Sequence, residues 1–240
     1  MRKTKTEPKR NTREVAYIPE RPVKLLKPQS VNQGMLISAT KKPEVDIVFA
    51  AGPAGTGKTY GAGGSALDML QAGIVKQIIL TRPYVPAGES YGHLPGTIEE
   101  KFAPYLQPYL QVFTDRIGKQ LLNQMLEDGR ITAVPIGFLQ GLTFQDCVVL
   151  VDEAENLTLD QARLIMTRLG KNKETGGSSK VFFMGDEKQA YIKNSGFMTC
   201  IKIFEHVSIA RTITFSIADV VRSNVCRVVL EAFENYEDAA

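Results

Sequence analysis

The sequence is poor in cysteine and histidine, and it lacks tryptophan. Its 240 residues include three cysteines and two histidines, and none recur at the short spacings that zinc sites need. Scattered cysteines in odd number also predict no disulfide framework, which favours a reducing compartment. These scarcities exclude a fold held by zinc or disulfides, so stability must come from a hydrophobic core.

Long apolar runs are missing as well. The longest aliphatic run is Val148 to Val151, far short of the ~18 apolar residues that a membrane-spanning helix needs. The N-terminus is basic, but no apolar segment of the signal-peptide type follows it. We therefore expect a cytoplasmic protein without a membrane partner.

The net charge of +3 is unevenly distributed. Residues 1–30 contain nine Lys or Arg against three Glu, so the remainder of the chain is slightly acidic. A basic arm can attract a phosphate backbone through counterion release, although a solvated tail that aids solubility has the same composition. We expect a basic, flexible arm at 1–28 and one folded domain at 29–240.

Short apolar segments alternate with longer helical patterns after the arm. The strand candidates are rich in Val, Ile and Phe and lie at 46–50, 77–81, 131–134, 147–152, 181–185 and 212–215. The helix candidates lie at 57–71, 98–113, 116–127, 158–169, 196–204 and 219–236, and Thr158 is a possible N-cap of the fourth. This alternation predicts an α/β domain with a mostly parallel sheet.

One segment has the complete phosphate-loop pattern, between a predicted strand and a predicted helix. Its residues are Gly52, Pro53, Ala54, Gly55, Thr56, Gly57, Lys58 and Thr59. Glycines let the backbone N–H groups turn inward around a phosphate, and a helix N-terminus adds a favourable dipole. Lys58 can supply a mobile positive charge to the β- and γ-phosphates, and the Thr59 hydroxyl can ligate Mg²⁺. We include the next residue, Tyr60, in the predicted cofactor-binding set.

Polar residues follow two further predicted strands. Asp152 and Glu153 end an aliphatic strand, where ligands of open α/β sheets bind, although solvated acids are also common at strand ends. Asp152 is suited to hold magnesium, and Glu153 to orient or deprotonate an attacking water. Gln189 follows the strand at 181–185 and is suited to contact the γ-phosphate or its water, or to lie in an ordinary polar turn.

Together these segments resemble the PhoH-like ATPases of bacteria and phages. Beyond the phosphate loop, the shared segments are Thr81-Arg82-Pro83, Gly92-His93-Leu94-Pro95-Gly96, Asp152-Glu153-Ala154-Glu155-Asn156, Thr167-Arg168-Leu169-Gly170 and Asp219-Val220-Val221-Arg222. Where this chain has Glu155, the family has Gln. The resemblance implies a RecA-like P-loop NTPase core with helices on both faces of the sheet. It also implies binding and hydrolysis of ATP with Mg²⁺, action on RNA or single-stranded DNA, and a homo-oligomeric ring, such as a hexamer.

The resemblance also suggests roles for single residues. Gln33 is similar to an upstream glutamine that reads adenine in related ATPases, but an ordinary loop glutamine is the alternative. Arg222 is similar to a late arginine that contacts the γ-phosphate, within its own chain or across a subunit boundary. Arg168 is the second choice for that role, with a surface ion pair as its alternative.

Two features depart from the pattern or limit it. Many relatives have two arginines where this chain has Gln140 and Leu142; if those arginines contact nucleic acid or a phosphate, this chain either uses other groups or has lost part of that role. Only one RecA-like core fits in this length, so strand separation by a monomer is not expected. A nucleotide-binding switch without hydrolysis and a P-loop kinase are the alternatives, and Glu153 argues against the kinase.

Overall fold

Strands and helices alternate along the residues that the computed structural model describes, which are 23–83, 106–171 and 179–238. The strands are β1 (Ile47–Ala51), β2 (Gln77–Thr81), β3 (Ile131–Ala133), β4 (Cys147–Val151), β5 (Lys180–Gly185) and β6 (Ala210–Thr214). The helices are α1 (Val31–Lys41), α2 (Lys58–Gln71), α3 (Gln107–Ile117), α4 (Lys119–Glu127), α5 (Leu159–Met166), α6 (Gly196–Ile203) and α7 (Asn224–Asp238). No helix in these ranges is both long and apolar enough to cross a membrane.

The six strands form one sheet in the order β3-β2-β4-β5-β1-β6, and every pairing is parallel. The α/β class predicted from the alternation is therefore confirmed, with a RecA-like arrangement. Strand β5 lies between β1, which precedes the phosphate loop, and β4, which precedes the acids. Because parallel strands end at the same edge, the segments after β1, β4 and β5 lie side by side.

Helices cover both faces of the sheet, as predicted. Val48 and Phe182 point to the core shared with α1, α2, α3 and α4. Their neighbours Phe49 and Phe183 point to the opposite core, shared with α5 and α6, and their rings stack at 5.3 Å between centroids. Burial on both faces explains why the strands are continuously apolar instead of alternating.

The boundary predicted for the N-terminal arm falls too late in the chain. Val23 packs against the core, and the Arg116 guanidinium donates to the Lys24 carbonyl at 3.0 Å. Residues 23–28 therefore belong to the folded domain, because they have contacts with it. The rest of the predicted arm, 1–22, lies outside the described residues.

Helix α1 was not among the predicted helices. Its buried positions include Gln33 and Thr40, so the apolar periodicity that marks a helix is interrupted. The start signal was present, since the Ser30 side chain accepts from the Gln33 N–H at 3.2 Å. Elsewhere the helix ends shift: Gly118, at φ +81°, separates α3 from α4. The predicted helix at 98–113 begins outside the described residues, and α7 begins at Asn224, after the predicted 219.

Candidate nucleotide-binding site

The loop between β1 and α2 contains two glycines whose positions leave little room for a side chain. Gly57 precedes α2 at φ +82°, and a Cβ there would collide with the Gln33 amide. Gly55 is at φ +78°, and a Cβ there would lie 3.1 Å from the Arg222 Cβ. Both positions therefore need glycine, for the left-handed backbone and for the close approach of a neighbouring side chain.

Lys58, in the first turn of α2, is held within this loop. Its Nζ donates to the Gly52 carbonyl at 2.6 Å and to the Pro53 carbonyl at 2.8 Å. Burial lowers the pKa of Lys58, and the carboxylates of Asp186 and Asp152 oppose that change. The cation therefore faces the acidic ends of β4 and β5.

Asp152 and Glu153 lie where β4 ends. Burial, then the neighbouring Glu153 carboxylate, raises the pKa of Asp152 to about 6, and the charges of Arg82 and Lys58 oppose the rise. Glu153 has φ +50°, a left-handed conformation that costs a non-glycine residue about 1–3 kcal/mol. Such strain persists where the surroundings enforce it and is common at functional sites.

Glu155 is a third acid at this edge, and sequence reasoning gave it no role. It is buried, its Oε2 accepts from the Asp186 N–H at 3.1 Å, and its Oε1 accepts from the Asn156 side chain at 3.3 Å. Burial, then the neighbouring Glu153 carboxylate, raises the pKa of Glu155 to about 8. The signal in the sequence was the family's Gln at this position, because a protonated Glu is the closest ionisable mimic of an amide.

Gln189 lies in the short helical turn Glu187–Gln189, after β5. Its Nε2 donates to Asp186 Oδ2 at 2.7 Å, and its side chain is otherwise exposed. Asp186 therefore orients Gln189 at the edge of the site.

These segments meet around one cavity of about 440 Å³. Its lining includes Ala54, Gly55, Gly57, Lys58, Thr59, Asp152, Glu153, Glu155, Asp186, Gln189 and Arg222. Among the described residues, no three His, Cys, Asp or Glu side chains form a metal cage. The donor set of Thr59 and Asp152 fits Mg²⁺, which typically uses one or two protein ligands together with substrate phosphates.

Six residues with predicted roles lie outside the lining, namely Gly52, Pro53 and Thr56 of the phosphate loop together with Gln33, Tyr60 and Arg168. Gln33 is fully buried; its Nε2 donates to the Thr56 carbonyl at 2.9 Å, and its Oε1 accepts from the Gln29 N–H at 2.9 Å. The Tyr60 hydroxyl bonds the backbone of Lys27, and Arg168 donates to the Leu142 carbonyl at 3.2 Å. In this conformation Gln33 supports the phosphate loop, and adenine contact by Gln33 stays a prediction.

Comparison with known proteins gives consistent matches. The profile of the PhoH-like protein family matches residues 25–234. A PhoH-like protein of Mycobacterium leprae is 36% identical over 218 residues, which cover 90% of this chain and 60% of that protein. One from Bacillus subtilis is 36% identical over 214 residues, 88% of this chain and 65% of that protein. Protein PhoH of Escherichia coli K12 is 36% identical over 192 residues, 78% of this chain and 52% of that protein. The chain thus spans under two thirds of these relatives' length.

Solved structures with a similar arrangement are more distant. The Hef helicase domain of Pyrococcus furiosus is 11% identical, with a TM-score of 0.44. The match covers 77% of this chain and 37% of the Hef chain. The N-terminal domain of the DNA packaging ATPase from bacteriophage phi29 is 16% identical, with a TM-score of 0.41. The match covers 71% of this chain and 84% of the phi29 chain.

Proposed function

The chain belongs to the PhoH-like protein family, and from that membership we propose that it is an ATPase that binds and hydrolyses ATP with Mg²⁺. The observation that carries the proposal is the single cavity that Lys58, Thr59, Asp152 and Glu153 share. A phosphate loop facing a pair of acids is the arrangement that phosphoryl transfer to water uses.

In the proposed mechanism, the phosphate loop and Lys58 bind the β- and γ-phosphates. The N–H groups at the start of α2 are otherwise unpaired, so they suit anionic oxygens. Thr59 and Asp152 would hold Mg²⁺, and the ion would neutralise charge that develops on the phosphates. Burial lowers the pKa of Lys58, and the carboxylates of Asp186 and Asp152 offset part of that change.

We assign activation of the attacking water to Glu153, and Gln189 lines the same cavity. Glu153 accepts a proton from the attacking water, or orients that water towards the γ-phosphate. Arg222 lies across the loop and contributes positive charge for the transition state. Its Cβ approaches the position of a Cβ on Gly55 in the same chain, so we assign Arg222 to its own chain's site.

We further propose that hydrolysis is coupled to RNA or single-stranded DNA in a homo-oligomer. The excess of basic residues at 1–30 supports attraction to a phosphate backbone. The neutral Gln140 and Leu142 argue that this chain makes such contacts with other groups. The test is the rate of ATP hydrolysis with and without RNA or single-stranded DNA, together with the mass in solution with and without ATP.

Product analysis tests the ATPase proposal. Purified protein, ATP and Mg²⁺ should yield ADP and inorganic phosphate in equal amounts, with or without a nucleoside acceptor. ATP binding without turnover would identify a switch module instead. Phosphate recovered on the acceptor, with little released to water, would identify a kinase.

A further inference from the structure

The turn that carries Arg222 is attached to the phosphate loop. The Val221 N–H donates to the Gly55 carbonyl at 3.1 Å. A Cβ on Gly55 would lie 3.1 Å from the Arg222 Cβ and 3.6 Å from its Cδ. The arginine stem therefore crosses the loop, while its side chain stays exposed at the cavity. No carboxylate in the described ranges is within ion-pair distance of its guanidinium.

Asp219 organises this turn three residues before the arginine. It is 5% exposed, and its Oδ2 accepts from the Ser216 N–H at 3.0 Å. Burial alone would raise the pKa of Asp219, but hydrogen bonds from Ser216, Asn32 and Ser30 lower it overall. Asp219 is therefore a buried anion with a fixed set of donors, which suits a structural anchor.

One of those donors comes from a distant part of the chain. The Asn32 Nδ2 donates to Asp219 Oδ2 at 2.8 Å across 187 positions of sequence. The next residue, Gln33, donates to the Thr56 carbonyl of the phosphate loop at 2.9 Å. The first turn of α1 thus contacts the phosphate loop through Gln33 and the arginine turn through Asn32.

We propose that Asn32 and Asp219 are a positioning pair that holds Arg222 over the phosphate loop of its own chain. The inference rests on the proposed ATPase function. A long arginine side chain on an exposed turn would lose conformational entropy on meeting a phosphate, and a fixed turn reduces that cost. The pair touches no substrate, and it acts through the placement of Arg222.

The test uses a like-charge substitution and its repair. Asn32→Asp places a carboxylate against Asp219, so kcat for ATP hydrolysis should fall about 10- to 100-fold, with a smaller change in KM. Asp219→Asn alone keeps an acceptor oxygen and should change kcat less than about threefold. The double variant Asn32→Asp/Asp219→Asn restores a carboxylate–amide pair and should recover most of the lost rate. Ser38→Asp, at an exposed position of the same helix, is the matched control and should leave kcat unchanged.

A second comparison asks whether the pair acts through Arg222. In an Arg222→Ala background, Asn32→Asp should lower kcat no further, because the group that it misplaces is gone. Thermal unfolding of every variant identifies loss of fold, and Asn32→Ala replaces Asn32→Asp if the latter does not fold. An undiminished rate in folded Asn32→Asp, no recovery in the double variant, or a full further loss in the Arg222→Ala background would each overturn the proposal. An inactive wild type would instead refute the ATPase function.

Discussion

At the residue scale, Glu155 shows how burial changes the chemistry of a side chain. Its Oε2 lies 2.8 Å from where a Cβ on Gly185 would be, so the carboxyl fills the space beside that glycine. Its raised pKa means that the folded protein retains a proton that the unfolded chain releases. The contribution of Glu155 to the free energy of unfolding is therefore fully present below pH 4.5 and is lost as the pH rises through about 8.

We predict that Glu155→Gln stabilises the protein in a pH-dependent way. The amide needs no proton, so the variant should match wild type near the ordinary pKa of 4.5 and exceed its free energy of unfolding as the pH approaches about 8. One pKa unit corresponds to about 1.4 kcal/mol, so a gain of at least about 1 kcal/mol is expected. Urea unfolding across this pH range measures it, with the exposed Glu187→Gln as control. A difference independent of pH would contradict the assignment of a buried proton.

Gln33 allows two roles to be separated by one substitution. Gln33→Ala removes the hydrogen bond to the Thr56 carbonyl and leaves the Gln29 N–H without its acceptor, which should cost about 1–3 kcal/mol of stability. If Gln33 supports the loop, affinities for ATP and GTP should fall by a similar factor. Affinities from titration with both nucleotides decide the matter, since a loss confined to ATP would support adenine recognition by Gln33.

At the scale of elements, helix α5 shows a start signal that sequence alone revealed. Thr158 was predicted as a possible N-cap, and its hydroxyl accepts from the Gln161 N–H at 3.2 Å while the Gln161 side chain accepts from the Thr158 N–H at 3.0 Å. Thr158→Ala should therefore lower the free energy of unfolding by about 1 kcal/mol. Thr158→Ser keeps the hydroxyl and should lie near wild type in the same urea titration. Equal losses in both variants would show that the methyl group, not the cap, matters.

Helix α1 illustrates what the sequence could not reveal at this scale. Its inward face carries Gln33 and Thr40, whose value depends on partners in distant segments. From sequence alone, a polar residue in a helix is predicted to face solvent unless its hydrogen-bond partner is known. The partner of Asn32 is Asp219, which lies 187 positions away. Apolar strands such as β4, by contrast, were predicted to within one residue, because their burial is visible in the residue types themselves.

At the scale of the whole molecule, local pattern and parallel topology predict most of the site. The phosphate loop, Asp152, Glu153 and Gln189 follow three strands that end at one edge, and they lie close together because β5 is between β1 and β4 in the parallel sheet. Two things needed the tertiary structure. The inward turn of Glu155 depends on the space at Gly185, and the position of Arg222 depends on how the segment after β6 returns across the loop.

Mixing two inactive variants tests the assignment of Arg222 to its own chain. Arg222→Ala and Lys58→Ala, co-assembled, leave every subunit with one defect, so no ATPase activity should return if each site uses its own arginine. Loss of an arginine that stabilises the transition state can cost about 10³-fold or more, which makes recovery easy to detect. The control is co-purification of differently tagged variants. Recovered activity in a mixed assembly would place the arginine across a subunit boundary.

The most direct test of the central claim measures ATP binding and phosphate release side by side in Lys58→Ala and Glu153→Gln. Removing the Lys58 charge should weaken ATP binding, because the β- and γ-phosphates lose their main side-chain partner. Glu153→Gln keeps the shape and loses the base, so we expect affinity close to wild type with hydrolysis slowed by about 10²-fold or more. A Glu153→Gln protein that releases phosphate at the wild-type rate would contradict the proposal that this cavity activates water against ATP.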